Sequence, residues 1–261
     1  RASGWWTDKT LLDYLENTVN LYGEREYVVD NLGRRYTYAE LDAKANALAG
    51  WMQKQGIKAK DVISMQCTPR SEFIIVVIAC FKLGAVVVPM KMRTGAAEWI
   101  FLMKQIKSRM HFGMACYHGE NMTCFIRKNE AELTDTVINI YIDGEGTAAN
   151  EYGFDDVCSG PSEPVSRPDV SADDIAVVLF TSGTTNGSRG VMLSHNNIIS
   201  SERIFNKMLH LTCEDSIFMP APLSHATGFH HGIVSAMMNG GKIVLLDKYE
   251  KRTAMDIRDK E

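Results

Sequence analysis

The stretch from Thr181 to Gly190 holds the side chains best suited to chemistry in this sequence. It reads TSGTTNGSRG, so hydroxyl groups, glycines and one arginine follow each other closely. Glycines let backbone N–H groups approach an oxyanion, hydroxyls donate further hydrogen bonds or reach a metal ion, and a cation offsets negative charge. We therefore predict that this loop binds a polyanion such as a chain of phosphates.

A plain polar hairpin would have a similar composition. The pair Asn186-Gly187 is typical of a type I′ turn, and Ser and Thr are common in loops. Composition alone supports the two interpretations about equally. The spacing differs from the Walker loop, because no Gly-Lys-Ser or Gly-Lys-Thr ends a GxxxxG stretch. This argues against the nucleotide-binding proteins that use that loop.

The loop lies between segments that alternate between strand and helix patterns. Before it, the spacing predicts a helix ending near Gly23, a short hairpin, and a helix that begins with a capping box at Thr37 and Glu40 and stops at Gly56. The other predicted strands are 62–67, 86–90, 110–116, 137–142, 175–180, 191–193, 216–219 and 243–246, and the other predicted helices are 71–83, 96–106, 196–209 and 228–238. The pattern predicts an α/β fold with parallel-rich sheets flanked by helices.

Three of the seven prolines fall between Ser159 and Asp169, so this stretch is predicted to be a linker. We expect residues 1–165 to form a first α/β subdomain with the N-terminal hairpin. Residues 166–261 then begin a second α/β subdomain that carries the loop. Because helix-forming residues run to Glu261 without a closing strand, we expect the chain to be the front part of a longer protein, with a C-terminal domain absent.

Composition excludes several classes of protein. The net charge is −4 and no strongly basic stretch is present, which argues against nucleic-acid binding. The longest apolar run, Phe73 to Phe81, is far shorter than the roughly 20 residues that span a bilayer. We therefore predict no transmembrane segment. Six scattered cysteines without a CxxC pair favour a reduced, cytoplasmic protein.

Several segments together resemble the adenylate-forming superfamily, which contains acyl-CoA synthetases, aryl-CoA ligases, peptide-synthetase adenylation domains and luciferases. The loop matches the family's Thr-Ser-Gly-Thr-Thr-Gly-x-Pro-Lys-Gly motif at six positions and continues with Val191-Met192-Leu193-Ser194-His195. Further matches are the segments 36–41, 81–89 and 222–229. The segment Pro-Leu-Ser-His-Ala-Thr-Gly-Phe is most similar to the corresponding segment of short- and medium-chain fatty acyl-CoA synthetases.

The resemblance implies a reaction and its cofactors. The whole enzyme would use ATP and Mg²⁺ to convert a carboxylic acid to an acyl-adenylate and then to an acyl-CoA. The expected acid is a fatty acid. Family members bind phosphates through the loop residues, which here are Thr181, Ser182, Gly183, Thr184, Thr185 and Arg189. The resemblance also places Thr181 nearest the magnesium ion and His225 in the acid pocket, as the catalytic candidate. A homodimer is a further expectation, and the fragment alone is expected to be inactive.

Departures from the motif leave other functions open. Asn186, Ser188 and Arg189 stand where the family has Gly, Pro and Lys. Arg189 keeps the positive charge but presents a planar fork instead of a point charge. Alternatives are an aryl or aminoacyl adenylation enzyme that delivers to a carrier protein, and a nucleotide-binding module without turnover.

Other polar residues near these motifs are assigned structural roles. His230 and His231 follow His225 closely, but no Cys or carboxylate lies at metal-ligand spacing in the sequence, so we predict a packed helix start. For His195 we favour a structural role. Asp173 and Asp174 are predicted to be solvated turn residues.

Overall fold

The computed structural model describes residues 4–133, 135, 137–181 and 188–261. Its helices are α1 Leu11–Tyr22, α2 Tyr38–Lys54, α3 Ser71–Leu83, α4 Ala96–Ile106, α5 Met122–Glu130, α6 Phe154–Val157, α7 His195–Met208, α8 Ser235–Asn239 and α9 Lys251–Lys260, with a π-helix at Thr227–Val234. Its strands are β1 Glu26–Asp30, β2 Arg35–Thr37, β3 Val62–Gln66, β4 Val86–Pro89, β5 Met110–Met114, β6 Cys116–Tyr117, β7 Glu120–Asn121, β8 Ile138–Ile142, β9 Glu151–Gly153, β10 Ile175–Thr181, β11 Arg189–Ser194, β12 Ser216–Met219 and β13 Lys242–Leu245.

Two main sheets organise these elements. The larger has seven strands in the order β11-β10-β4-β3-β5-β8-β9, and the smaller has four in the order β12-β13-β1-β2. Neighbouring strands are parallel except at the two hairpins, β10–β11 and β1–β2. Strands β6 and β7 form a separate two-stranded ribbon. The predicted α/β class with parallel-rich sheets is confirmed.

Both sheets contain strands from before and after residue 165. The larger sheet takes in β10 and β11, and β1 pairs with β13 in the smaller one. Residues 161–170 have no regular secondary structure between these parts of the chain. The division into subdomains at residue 165 stays a prediction.

Helix α3 is the most buried helix of the described chain. All of its residues are buried, because the apolar run Phe73 to Phe81 leaves no polar face. Gly84 ends the helix in the left-handed conformation, at φ 65°, which a side chain would disfavour. The prediction of a buried core element is confirmed. None of the described helices is long and apolar enough to cross a membrane.

Helix starts follow local sequence closely. The predicted capping box at Thr37 and Glu40 is present, and Thr10 with Asp13 and Ser194 with Asn197 form two more. The predicted bounds of α3 and α4 are correct. The segment predicted as one helix over 228–238 is instead a π-helix followed by α8.

Candidate functional site

The carboxyl ends of the parallel strands in both sheets open into one cleft of about 660 Å³. Parallel α/β sheets bind ligands beyond the carboxyl ends of their strands, so this cleft is the first place to look for a site. Residues following six strands line it: Cys67 and Thr68 after β3, Lys91 to Arg93 after β4, Cys116 to His118 after β5, Asp143 after β8, Pro220, Pro222 and Ser224 after β12, and Leu246 to Tyr249 after β13.

Arg70 ties the two sheets together at the floor of this cleft. Its side chain is only 5% exposed, and its Nη1 donates to Oδ2 of Asp143 at 2.5 Å. On the opposite side its Nε lies 3.3 Å from Oδ1 of Asp247, which also accepts a hydrogen bond from Thr68. Asp143 follows the larger sheet and Asp247 the smaller one. One guanidinium therefore fixes the spacing of the two strand edges.

The rim of the cleft carries positive charge. Lys91, Arg93 and Lys248 line it, and none of them forms an ion pair with another residue that the structure describes. The two acidic lining residues, Asp143 and Asp247, already face Arg70. Apolar surface comes from methionine, proline, leucine and tyrosine side chains. Such a cleft suits an organic anion with an apolar body.

The predicted phosphate loop leaves the sheet at the same edge. Strand β10 is parallel to β4 and ends at Thr181, and β11 returns antiparallel from Arg189. Thr181 is exposed, and its Oγ1 donates one hydrogen bond of 3.4 Å to the carbonyl oxygen of Arg189. Ser182, Gly183, Thr184 and Thr185 lie outside the described residues.

The return strand of the hairpin is exposed as well. Arg189 is exposed and makes no ion pair with any residue in the described ranges. Ser188 donates a hydrogen bond to Glu98 at the start of α4. At Gly190 a Cβ atom would lie 2.9 Å from Cγ1 of Val178 and 3.2 Å from the Phe180 ring. The glycine lets β11 pack closely against β10.

His225 lies at the end of the segment that follows β12. It is exposed, and its backbone N–H donates to the carbonyl oxygen of Pro222 at 3.1 Å. The backbone N–H of Thr227 donates to its Nδ1 at 3.3 Å, so the neutral ring carries its proton on Nε2. Ser224, the preceding residue, lines the cleft.

A family model described as AMP-binding enzyme matches residues 15–260. The chain belongs to this family. It is 35% identical over 247 residues to the medium-chain fatty-acid–CoA ligase of Escherichia coli, a match that covers 95% of this chain and 44% of that protein. The chain thus spans less than half the length of this AMP-binding relative.

Solved structures share the fold. An anthranilate CoA ligase in complex with anthranoyl-AMP superposes with a TM-score of 0.85 at 18% identity, covering 93% of this chain and 46% of the other. ATP-bound MatB from Rhodopseudomonas palustris superposes with a TM-score of 0.83 at 23% identity, covering 97% of this chain and 48% of the other. At these identities the likeness shows the fold of an AMP-binding enzyme alone.

His230 and His231 lie beside a carboxylate that is far from them in the sequence. Glu202 of α7 is completely buried, with Oε2 at 3.1 Å from Nδ1 of His231 and Oε1 at 3.7 Å from Nδ1 of His230. Burial raises the pKa of the Glu202 carboxyl, and the hydrogen bond with His231 acts in the opposite direction. Burial lowers the pKa of His230 to about 4. Sequence spacing concealed this cluster because 28 or 29 residues separate its partners.

His195 has the structural role that we favoured. It is buried at the start of α7, and its Nδ1 accepts a hydrogen bond from the backbone of Leu11 at 3.2 Å. Burial lowers its pKa to about 4. As predicted, Asp173 and Asp174 lie in a turn, where Asp173 is exposed and Asp174 is half-buried, but both also have partners. Asp173 accepts hydrogen bonds from Trp6 and Asn196, and Asp174 forms an ion pair with Lys60 at 2.9 Å.

The described residues contain no group of three or more His, Cys, Asp and Glu side chains arranged to hold a metal ion. His230 and His231 lie in the π-helix Thr227–Val234, so the prediction of a helix at this place is confirmed, although the helix is of the π type.

Proposed function

We propose that the protein to which this chain belongs uses ATP to convert a medium-chain fatty acid to its acyl-adenylate, and then transfers the acyl group to the thiol of CoA. The observation that carries this proposal is the family match over residues 15–260. The fatty acid is proposed because the Escherichia coli relative is a medium-chain fatty-acid–CoA ligase. The site geometry supports the same function, since the phosphate loop leaves the sheet beside the cleft.

In the first step the carboxylate oxygen attacks the α-phosphorus of ATP, and the bond to the pyrophosphate oxygen breaks. Negative charge then builds on the leaving pyrophosphate. Fixed donors aimed at that charge lower the barrier most, because they need no rearrangement during the reaction. We propose that the loop from Thr181 to Arg189 supplies these donors, with Ser182, Gly183, Thr184 and Thr185 between them.

Mg²⁺ and CoA belong to the same proposal. When bound, Mg²⁺ would neutralise phosphate charge, and it is usually held by few protein ligands together with the phosphates. Thr181 suits this role because its exposed hydroxyl makes a single long hydrogen bond of 3.4 Å. The cations Lys91, Arg93 and Lys248 on the cleft rim suit the phosphates of a nucleotide substrate such as CoA.

We propose that His225 contacts the carboxylic acid. Its ring has Nδ1 occupied by a backbone donor, which leaves Nε2–H to donate to a carboxylate or carbonyl oxygen. Its neighbour Ser224 lines the cleft, so a bound acid would approach the ring from that side. We also propose that the protein acts in the cytoplasm as a homodimer and binds no nucleic acid, which agrees with its net charge of −4.

Fatty-acid-dependent exchange of pyrophosphate into ATP tests this function in the whole protein. We expect exchange with octanoate, and we expect the double variant Thr184→Val, Thr185→Val to reduce it at least about a hundredfold, as loss of transition-state donors does in other enzymes. Valine keeps the shape of threonine but removes the hydroxyl.

Thr253→Val is the matched control, because Thr253 lies on α9 and its hydroxyl bonds only to Glu250 among the described residues. It should leave exchange unchanged. Undiminished exchange in the double variant would show that the loop is wrongly assigned. Exchange that requires an amino acid or an aromatic acid instead of octanoate would contradict the proposed substrate.

A further inference from the structure

One buried polar cluster that the proposed function does not explain joins α7 to the π-helix. Glu202, on α7, is completely buried and faces the Nδ1 atoms of His231 at 3.1 Å and His230 at 3.7 Å. One helical turn later, Oδ1 of Asn206 accepts a hydrogen bond of 2.5 Å from the Ser235 hydroxyl, at the start of α8. Polar contacts at two levels thus connect α7 to the chain that follows His225.

A buried carboxylate without a partner costs several kcal/mol, so its partners decide whether the site is stable. Here they are the two imidazoles and the Ser201 hydroxyl, at 3.2 Å. Among the strands and helices packed against α7 and the π-helix, β12 and α8 contain no titratable residue, and β11 contains only Arg189, which forms no ion pair with a described residue. Within the described chain, Glu202, His230 and His231 are therefore the ionisable groups that face one another in this cluster.

A proton between Glu202 and His231 satisfies both groups. It lies either on Nδ1 of the imidazole or on the carboxyl oxygen, and in both cases one hydrogen bond joins α7 to the π-helix. The His231 ring is held further by stacking on Phe205, with ring centroids 4.0 Å apart. Its orientation is thus fixed from two sides.

The connected elements come directly after the two predicted halves of the site. Helix α7 begins where the hairpin that carries the phosphate loop ends, at Ser194. The π-helix begins two residues after His225, whose carbonyl oxygen accepts from the N–H of Phe229 at 2.9 Å. π-helical turns occur often at functional sites. The Glu202 contact therefore joins the helix that follows the hairpin to the helix that follows His225.

We propose that Glu202 is a positioning residue for the carboxylic acid, which acts by holding His231 and with it the π-helix that directly follows His225. The idea depends on the function proposed above, because it concerns the acid half of that site. Glu202 itself would not touch the substrate. Its change should therefore weaken use of the acid while leaving use of ATP intact.

The first test detects the Glu202–His231 contact directly in the whole protein. We expect Glu202→Gln to move the imidazole nitrogen-15 resonances of His231 at pH 7, and to leave those of the exposed His210 in place. Glu214→Gln is the matched control, since it removes the same charge from an exposed ion pair with Arg25. It should leave the His231 resonances unmoved. Unmoved resonances in Glu202→Gln would overturn the proposal.

The second test measures pyrophosphate exchange in the whole protein. We expect Glu202→Gln to raise KM for octanoate about tenfold, the effect of losing one hydrogen bond between a displaced His225 ring and the carboxylate, with KM for ATP within about twofold of wild type. His231→Asn, which keeps a donor near the position of Nδ1, should raise KM for octanoate less than Glu202→Gln does.

Three outcomes separate the possibilities. If His231 moves but both KM values stay the same, the contact exists and positions nothing, so the inference fails while the proposed function stands. Equal rises in both KM values would indicate a general structural role and would also overturn it. If the wild-type protein shows no octanoate-dependent exchange, the proposed function fails, and the acid-positioning role fails with it.

Discussion

The β10–β11 hairpin carries one half of the predicted site and the π-helix directly follows the other half, and these two elements are built in opposite ways. The hairpin is an exposed sheet edge, with Met192 68% exposed and with Arg189 unpaired among the described residues. In the π-helix five residues are buried, and His231 is bonded to Glu202. One region leaves polar groups available to a ligand, whereas the other uses them to hold its own position.

This contrast has an energetic consequence. Substitutions at an exposed edge change stability by about 0.5 kcal/mol or less, unless they disturb packing, whereas buried helices lose more from steric or polar changes. The hairpin should therefore respond to mutation mainly through ligand binding. The π-helix should respond mainly through folding.

Two glycines test this contrast most strongly. At Gly228 a Cβ atom would lie 2.4 Å from the carbonyl oxygen of Pro222 and 2.9 Å from Cα of Leu223, both of them backbone atoms. Because backbone atoms cannot relieve such a clash by a side-chain rotation, we expect Gly228→Ala to lower the free energy of unfolding by about 3 kcal/mol. Urea unfolding followed by circular dichroism measures this change.

Gly190→Ala is the matched substitution in the hairpin. Its Cβ would meet side-chain atoms of Val178 and Phe180, which are only half-buried, and no backbone atom lies among its nearest neighbours. We expect a loss below about 1 kcal/mol. Equal losses for the two variants would show that the hairpin and the π-helix do not differ in the way described.

Sequence patterns predicted those parts of the fold whose signals are local. The capping box at Thr37 and the apolar run of α3 each fall within a few neighbouring residues, so their helices were predicted with correct starts. The short strand β9 and helix α5 were missed, because three residues give little periodicity and α5 is mostly polar.

The same distinction applies to the site. The loop over residues 181–190 and the segment around His225 could be proposed as parts of the site because each is a contiguous motif. Arg70 joins Asp143 to Asp247 across two sheets, and Glu202 reaches His231 from another helix. Such contacts arise from the tertiary fold, so no spacing along the chain indicates them. They could be recognised only in three dimensions.

The buried histidines predict how stability depends on pH. Burial lowers the pKa of His230 and His195 to about 4, so the unfolded chain binds more protons than the folded one between that value and the ordinary 6.5. The contribution of these two histidines to stability is then fully present above pH 6.5 and is lost as the pH falls towards 4. Glu202 opposes this loss, because its raised pKa favours proton binding by the folded state.

Unfolding measured in urea at several pH values between 4.5 and 7 tests this dependence. We expect His230→Gln to reduce the loss of unfolding free energy by up to about 2 kcal/mol. This figure comes from 1.36 kcal/mol per unit of pKa shift, reduced because His230 is partly exposed. Arg189→Ala, in the hairpin, should give a curve parallel to that of wild type. A parallel curve for His230→Gln would mean that this imidazole does not titrate differently on folding.

Arg189 gives the smallest expected effect on stability and the clearest one on binding. Its guanidinium is exposed and unpaired within the described part of the chain, so Arg189→Ala should change the free energy of unfolding by less than about 0.5 kcal/mol. In pyrophosphate exchange we expect KM for ATP to rise about tenfold, because a charge-assisted contact to phosphate is lost. Arg189→Lys should restore most of the affinity, since the family motif has lysine at this position. If Arg189→Ala destabilises the fold but leaves KM for ATP unchanged, the hairpin is a structural edge and its cation does not face the phosphates.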